Sequence, residues 1–292
     1  MNIEQEMKYI NELTINGDYD LVIKRCDELL EDFKHPRLYL ARGTANQLLK
    51  NYEVAILDFS NSINLDSKNA KPYNNRGIIK VELGNYVGAI EDYTKAIELD
   101  PTDSKRYSNR AYAKQCLGDY LAADKDYLKA IELDPENIDV YRLCAENKFN
   151  INDWQGLLEI CNKIFDIEPD DNFTYLNRAQ AKYALKDLSG ALKDFDIFIK
   201  NDTSDKNAYL MRGNIKNKFL DSEEAIEDYT KAIELDYNFA EAYCNRGIAK
   251  RDVQDYIGAI KDLEKYLSLK PEDKEIKNIL EECKLKIKNK KD

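Results

Sequence analysis

One spacing constrains this chain more than any other feature. Gly77 to Pro101 superimposes on Ala111 to Pro135 at a shift of 34 residues, and with the preceding arginines RGIIKVELGNYVGAIEDYTKAIELDP is answered by RAYAKQCLGDYLAADKDYLKAIELDP. The same register divides the chain into seven units, 36–69, 70–103, 104–137, 138–171, 172–205, 206–239 and 240–273. A weaker unit, 3–35, keeps Gly17-Asp18-Tyr19 and an apolar second half, one residue short of the register. A period of this length marks a stack of small helical units, none of which can bury its apolar face alone. The 292 residues therefore need not divide into average-sized domains, because such arrays grow by adding units.

Each unit reads as two helices. Position 4 is tyrosine in all seven (Tyr39, Tyr73, Tyr107, Tyr141, Tyr175, Tyr209, Tyr243), and position 8 is always glycine or alanine, which lets two helices approach closely. A Gly-Asn/Asp-Tyr turn follows at Gly84 and Gly118. The second helix then places small or apolar residues such as Ala89, Tyr93 and Ala96 on one stripe. Pro101, Pro135, Pro169 and Pro271 share one phase and end it, since proline cannot continue the preceding helix. Residues 274–292 leave the period. Ile276, Ile279, Leu280, Cys283 and Ile287 fall on one face, as expected of a capping helix over the last unit. Its lysine-rich end (Lys284, Lys286, Lys288, Lys290, Lys291) suits a solvated helix end or an acidic partner.

These residues are where the chain resembles the tetratricopeptide repeat family: small position 8, alanine at position 20 (Ala55, Ala89, Ala123, Ala191, Ala225, Ala259), the aromatic at position 24 and the closing proline. The resemblance is strong over 36–273 and weak over 3–35. It implies an all-α fold, a right-handed superhelical solenoid of tandem antiparallel helix pairs, whose first helices line a concave face. It implies binding without naming a ligand.

Two positions vary together within the chain. Position 7 is arginine and position 23 aspartate in the same six units: Arg42 with Asp58, Arg76 with Asp92, Arg110 with Asp126, Arg178 with Asp194, Arg212 with Asp228, and Arg246 with Asp262. Unit 138–171 loses both, to Cys144 and Ile160. A guanidinium fork matches a carboxylate, and either charge buried alone is costly, so the two should be kept or lost as a pair. The expectation is a structural ion pair between the helices of one unit or across adjacent units. A row of arginines for phosphate is the rival reading. Lysine at position 11 (Lys80, Lys114, Lys148, Lys182, Lys216, Lys250) stands ready to supplement these aspartates and receives no binding role.

In the family that the chain resembles, positions 2, 5, 6, 9, 12 and 13 point into the groove. Asparagine recurs at position 6 (Asn75, Asn109, Asn177, Asn245), interrupted by Ala41, Leu143 and Met211. Its amide donates and accepts, so the row suits a peptide backbone, or else a bond to the neighbouring helix. Tyr112, Arg142, Phe149, Phe173 and Tyr183 occupy groove phases near the middle. They are candidate anchors for a partner, with packing on a neighbouring repeat as the alternative. The carboxylate clamp known in one subgroup, for chaperone tails, would need lysine, asparagine, asparagine, lysine and arginine where this chain has Leu40, Thr44, Asn75, Lys105 and Asn109. Two of five match, so no such clamp is expected.

Composition closes off other classes. A net charge of −11 disfavours nucleic acid. No apolar run is long enough to cross a membrane, and the first ten residues show no signal-peptide pattern. The six cysteines lie far apart without a Cys-x-x-Cys pair, so free thiols in a cytoplasmic setting are expected, with no metal and no cofactor. His35 is the lone histidine, and phosphate-binding glycine loops are missing. Repeats and cap occupy residues 3–289, so no catalytic residue is assigned. The reading is a monomeric scaffold that binds a peptide segment or helix of a partner protein. A self-associating structural subunit is the alternative.

Overall fold

The computed structural model describes residues 2–289, and Lys290 and Lys291 of the lysine-rich end lie outside them. The described residues form helices joined by short turns, in two compact units that divide between Asn152 and Asp153. The first unit holds α1 (Ile3–Asn16), α2 (Tyr19–Asp32), α3 (Pro36–Leu48), α4 (Tyr52–Leu65), α5 (Ala70–Glu82), α6 (Tyr86–Leu99), α7 (Ser104–Cys116), α8 (Tyr120–Leu133) and α9 (Ile138–Asn150). The second holds α10 (Trp154–Ile167), α11 (Asn172–Ala184), α12 (Leu188–Asn201), α13 (Lys206–Lys218), α14 (Ser222–Leu235), α15 (Ala240–Asp252), α16 (Tyr256–Leu269) and α17 (Lys274–Lys288). The division falls inside repeat 138–171, the one of the seven regular repeats without the arginine–aspartate pair. None of the helices is long and apolar enough to cross a membrane, among the described residues.

The helix boundaries follow from the repeated phases. Several first helices begin behind a side-chain cap, where Asn69 accepts from the Lys71 amide, Asp103 from Lys105, and Asp205 from Asn207 and Ala208, whereas Asn137 and Phe239 start theirs without such a bond. Each ends in a turn whose fifteenth position is left-handed. Gly84 and Gly118 hold it at φ 74° and 79°, and Lys50, Asn152, Lys186, Leu220 and Gln254 hold it at 58° to 70°. Glycine suits that conformation best, which explains why the clearest turns in the sequence carry it.

Packing between the helices of a pair depends on position 8 against position 24. A Cβ built on Gly77 would sit 2.7 Å from the Tyr93 ring, and one on Gly43 2.8 Å from Phe59. The rings of Phe59, Tyr93, Tyr127, Phe195 and Tyr229 are almost wholly buried as a result. Within each unit a helix packs on the next one and most first helices also touch the next first helix, so the core is a chain of small clusters. At the far end of the second unit, Ile276, Leu280 and Cys283 of α17 cover Leu263 and Tyr266. Ile279 packs on the same cluster, and Ile287 is half-buried.

Candidate functional site

The arginines of position 7 are paired inside their own repeats. Each of the six donates from Nε and Nη2 to both carboxylate oxygens of its position-23 aspartate, at 2.6–3.0 Å. The six aspartate side chains are only 1–8% exposed. The bond to Asp92 raises the basicity of Arg76 against the burial that lowers it. Lysines supplement five of these carboxylates: Lys80, Lys114, Lys182, Lys216 and Lys250 lie 2.6–3.1 Å from Asp92, Asp126, Asp194, Asp228 and Asp262. Asp58 has no such lysine, because position 11 is Asn46 in that repeat. In the repeat that lacks the aspartate, Lys148 reaches Asp124 of α8 at 2.9 Å.

Two further partners of these arginines escape a search for paired charges. Each arginine lies over the tyrosine three residues before it, at 5.5–5.9 Å from ring centroid to guanidinium carbon. Five of them also send Nη1 back to the preceding repeat, Arg42 to Asp27, Arg76 to Ser60, Arg110 to Thr94, Arg212 to Asp196 and Arg246 to Thr230. Arg178 has Phe165 beneath it instead, at 4.2 Å. One arginine thus ties together three helices from two repeats. The sequence signal was the tyrosine three positions before each arginine, whereas the acceptors in the preceding repeat share no residue type.

The face made by the first helices of the first unit carries two hollows. One is lined by Ile78, Val81, Ser108, Asn109, Tyr112 and Leu143, with a volume of about 210 Å³. Asn109 and Tyr112, singled out separately in the sequence, meet here. The other, about 480 Å³, lies between α1, α3, α5 and α7, and Asn75 lines it beside Thr44 and Asn74. In the second unit a hollow of about 310 Å³ brings Tyr183 and Asn245 together with Asn214, Lys218 and Ile248. Apart from Arg106, at position 3, and Tyr93 and Tyr229 at position 24, the residues that line these hollows from the seven regular repeats sit at positions 2, 5, 6, 9, 12 and 13 or in a cap.

The position-6 asparagines do not share one environment. Asn245 donates to Asn214 at 2.8 Å, and the Tyr229 hydroxyl donates to the same oxygen at 2.9 Å. Asn109 reaches Asn74 at 3.4 Å and Asn75 reaches Thr44 at 3.5 Å, so their amides are only loosely held. Asn177 is 7% exposed and has little left to offer a ligand. Among the aromatics, Tyr112, Phe149 and Phe173 are 41%, 39% and 52% exposed. Tyr183 is half-buried on the core of the second unit, with the Lys218 ammonium 4.9 Å over its ring. Arg142 lies 3.5 Å from Asp139, and neither it nor Phe149 or Phe173 lines these three hollows.

Three of the thiols are kept protonated by burial. Burial pushes Cys26 and Cys161 up to about 12 and Cys244 to about 11, and only Cys116 is exposed. A thiol that stays protonated at neutral pH is a poor nucleophile.

Profiles of known families match four stretches. The tetratricopeptide repeat profiles cover residues 70–103, 104–137 and 240–273, and a further TPR repeat profile covers 221–251. No curated protein sequence matches the chain. Among solved structures, the C-terminal part of a TPR repeat-containing protein from Cytophaga hutchinsonii is similar at 17% identity and a TM-score of 0.60, over 93% of this chain and 98% of that one. A tetratricopeptide repeat protein from Parabacteroides merdae is similar at 19% identity and a TM-score of 0.54, over 84% and 98%. YrrB, described as a TPR protein with an unusual peptide-binding site, is similar at 20% identity and a TM-score of 0.58, over 63% and 95%.

Proposed function

Because this chain is a tetratricopeptide repeat protein, we propose that it is a protein-interaction scaffold which docks an extended segment or a helix of a partner on the face of its first helices. The observation that carries this reading is the pairing, in each unit, of an amide with an aromatic at one hollow: Asn109 with Tyr112, and Asn245 with Tyr183. An aromatic offers apolar contact area at small cost in conformational freedom, and an amide satisfies a peptide group on both its edges. The peptide-binding site reported for YrrB shows that this kind of fold can carry such a role. At 20% identity the likeness speaks for the fold, and the ligand must be read from this chain's own residues. The strongly negative net charge favours a protein partner over nucleic acid. Six free cysteines suit a reducing compartment, the cytoplasm among them.

The test is affinity capture from a native extract, with mass spectrometry. One bait is the wild-type chain; the others carry Tyr112→Ala with Phe149→Ala, or Tyr183→Ala, each checked for native helicity. A partner recovered by wild type and lost by a variant supports docking on that unit's face. Equal recovery by all baits places the contact elsewhere. The alternative, a self-associating subunit, would appear as mass that grows with concentration in light scattering of the purified chain.

A further inference from the structure

The lone histidine of the chain stands at a joint. His35 precedes Pro36, the first residue of α3, and links the weak unit 3–35 to the first regular repeat. Its Nδ1 accepts from the Arg37 amide at 3.3 Å, so the imidazole is the N-cap of α3. That bond requires the tautomer with its proton on Nε2. The ring also stacks on Phe33, 5.5 Å away between centroids. Asn69 caps α5 in the same way, with an amide oxygen that does not titrate. An imidazole that gains a proton keeps two donors and no acceptor, and it sets a positive charge at the positive end of a helix dipole.

The surroundings oppose that proton. Burial and the neighbouring Arg37 hold the His35 imidazole below its ordinary 6.5, against a smaller pull upward from Glu4 of α1. Glu4 is itself engaged by Arg37, at 2.5 Å.

The cap bears on how the first unit is held. The ion pairs across the joint are exposed to water: Arg37 on Glu4, with side chains 40% and 72% exposed, and Arg42 on Asp27, with Asp27 53% exposed. Pairs of that kind contribute little. Inside the unit, α1 and α2 share Arg25 on Glu6, with side chains 33% and 23% exposed, where the regular repeats have a buried aspartate. What remains is apolar: Met7, Ile10 and Leu13 of α1 form one cluster with Leu38 and Ala45 of α3.

We propose that His35 is an acid-sensitive latch: neutral, it caps α3 and holds unit 3–35 on the array; protonated, it gives up the cap, and the unit opens and uncovers Leu38 and Ala45. The direction follows from proton linkage. An opened chain takes up the proton near about pH 6.5, ahead of the closed one. The latch is therefore fully held above that pH, weakens as the pH falls through it, and stops weakening once the closed form is protonated as well.

The test uses the full chain, and a single histidine makes it specific. Proton NMR of the imidazole Cε1–H reads the His35 midpoint directly, and it is expected below 6.5. Hydrogen exchange read by mass spectrometry, corrected for intrinsic rates, should show protection of the α1 and α2 amides falling at least about threefold between about pH 7.5 and pH 5. The amides of α5 and α6 should stay within about 1.5-fold over the same range. His35→Asn keeps a cap and removes the titration, so its α1 and α2 amides should also stay within about 1.5-fold. A midpoint at or above 6.5, an equal loss of protection in α5 and α6, or the same loss in His35→Asn overturns the proposal. The NMR midpoint and the comparison of helices use the wild-type chain, so both decide the matter even where the variant folds poorly.

Discussion

At the scale of single residues, a buried carboxylate decides what each arginine is worth. Asp58 is 1% exposed in its side chain and, among the described residues, pairs with Arg42 alone. Asp126 has Arg110 and also Lys114, at 2.7 Å each. Removing Arg42 therefore strands a buried charge, at a cost of about 3–5 kcal/mol, whereas removing Arg110 leaves a lysine in place. Arg42→Met should lower the urea midpoint clearly more than Arg110→Met, with Asn109→Ala close to wild type. Equal losses in the two arginine variants would show that the lysines contribute nothing. The pairing itself was legible in the sequence, because Cys144 and Ile160 replace both partners in one repeat. The third connection was not. Asp27, Ser60, Thr94, Asp196 and Thr230 accept the same kind of bond with different chemistry, so no shared residue type marked the position.

At the scale of elements, the helix pairs were readable because close approach leaves few choices: a glycine or alanine faces a large ring in five repeats and Cys161 or Leu263 in the other two. The cap was readable because its apolar stripe begins where the period ends. The lining of the hollows was readable by phase but not by contact. Position 6 gives the same letter at Asn177 and Asn75, yet one is buried and the other half-exposed, since neighbouring side chains from other helices set the outcome. Tyr183 likewise shares a groove phase while Lys218 of the next first helix holds it. The cap supports a direct test. Burying Ile276, Leu280 and Cys283 contributes roughly 1.5–3 kcal/mol for each large side chain and covers Leu263 and Tyr266. A chain ending at residue 273 should melt at lower temperature, and light scattering should show mass rising with concentration as the bared face finds a second copy. Unchanged melting and a constant mass would mean that α17 rests on the array without stabilising it.

At the scale of the whole molecule, the repeats determine how stability is distributed. Within each unit the contacts run from one helix to the next and, for most first helices, to the next first helix, so no residue far along the chain secures an early helix. Stability is then close to a sum of repeat terms and neighbour terms, and unfolding need not be all-or-none. The division between Asn152 and Asp153 falls in the one regular repeat without an arginine–aspartate pair, so the two units need not melt together. The chain carries its own local reporter, because Trp154, the only tryptophan, opens α10 in the second unit. Far-ultraviolet ellipticity averages over all the helices, whereas tryptophan fluorescence follows that one place. In a urea titration the two probes should give different midpoints, and the van't Hoff enthalpy of thermal unfolding should fall below the calorimetric one. Coincident transitions with equal enthalpies would show instead that the whole chain unfolds as one cooperative body, and that the neighbour terms outweigh the differences between repeats.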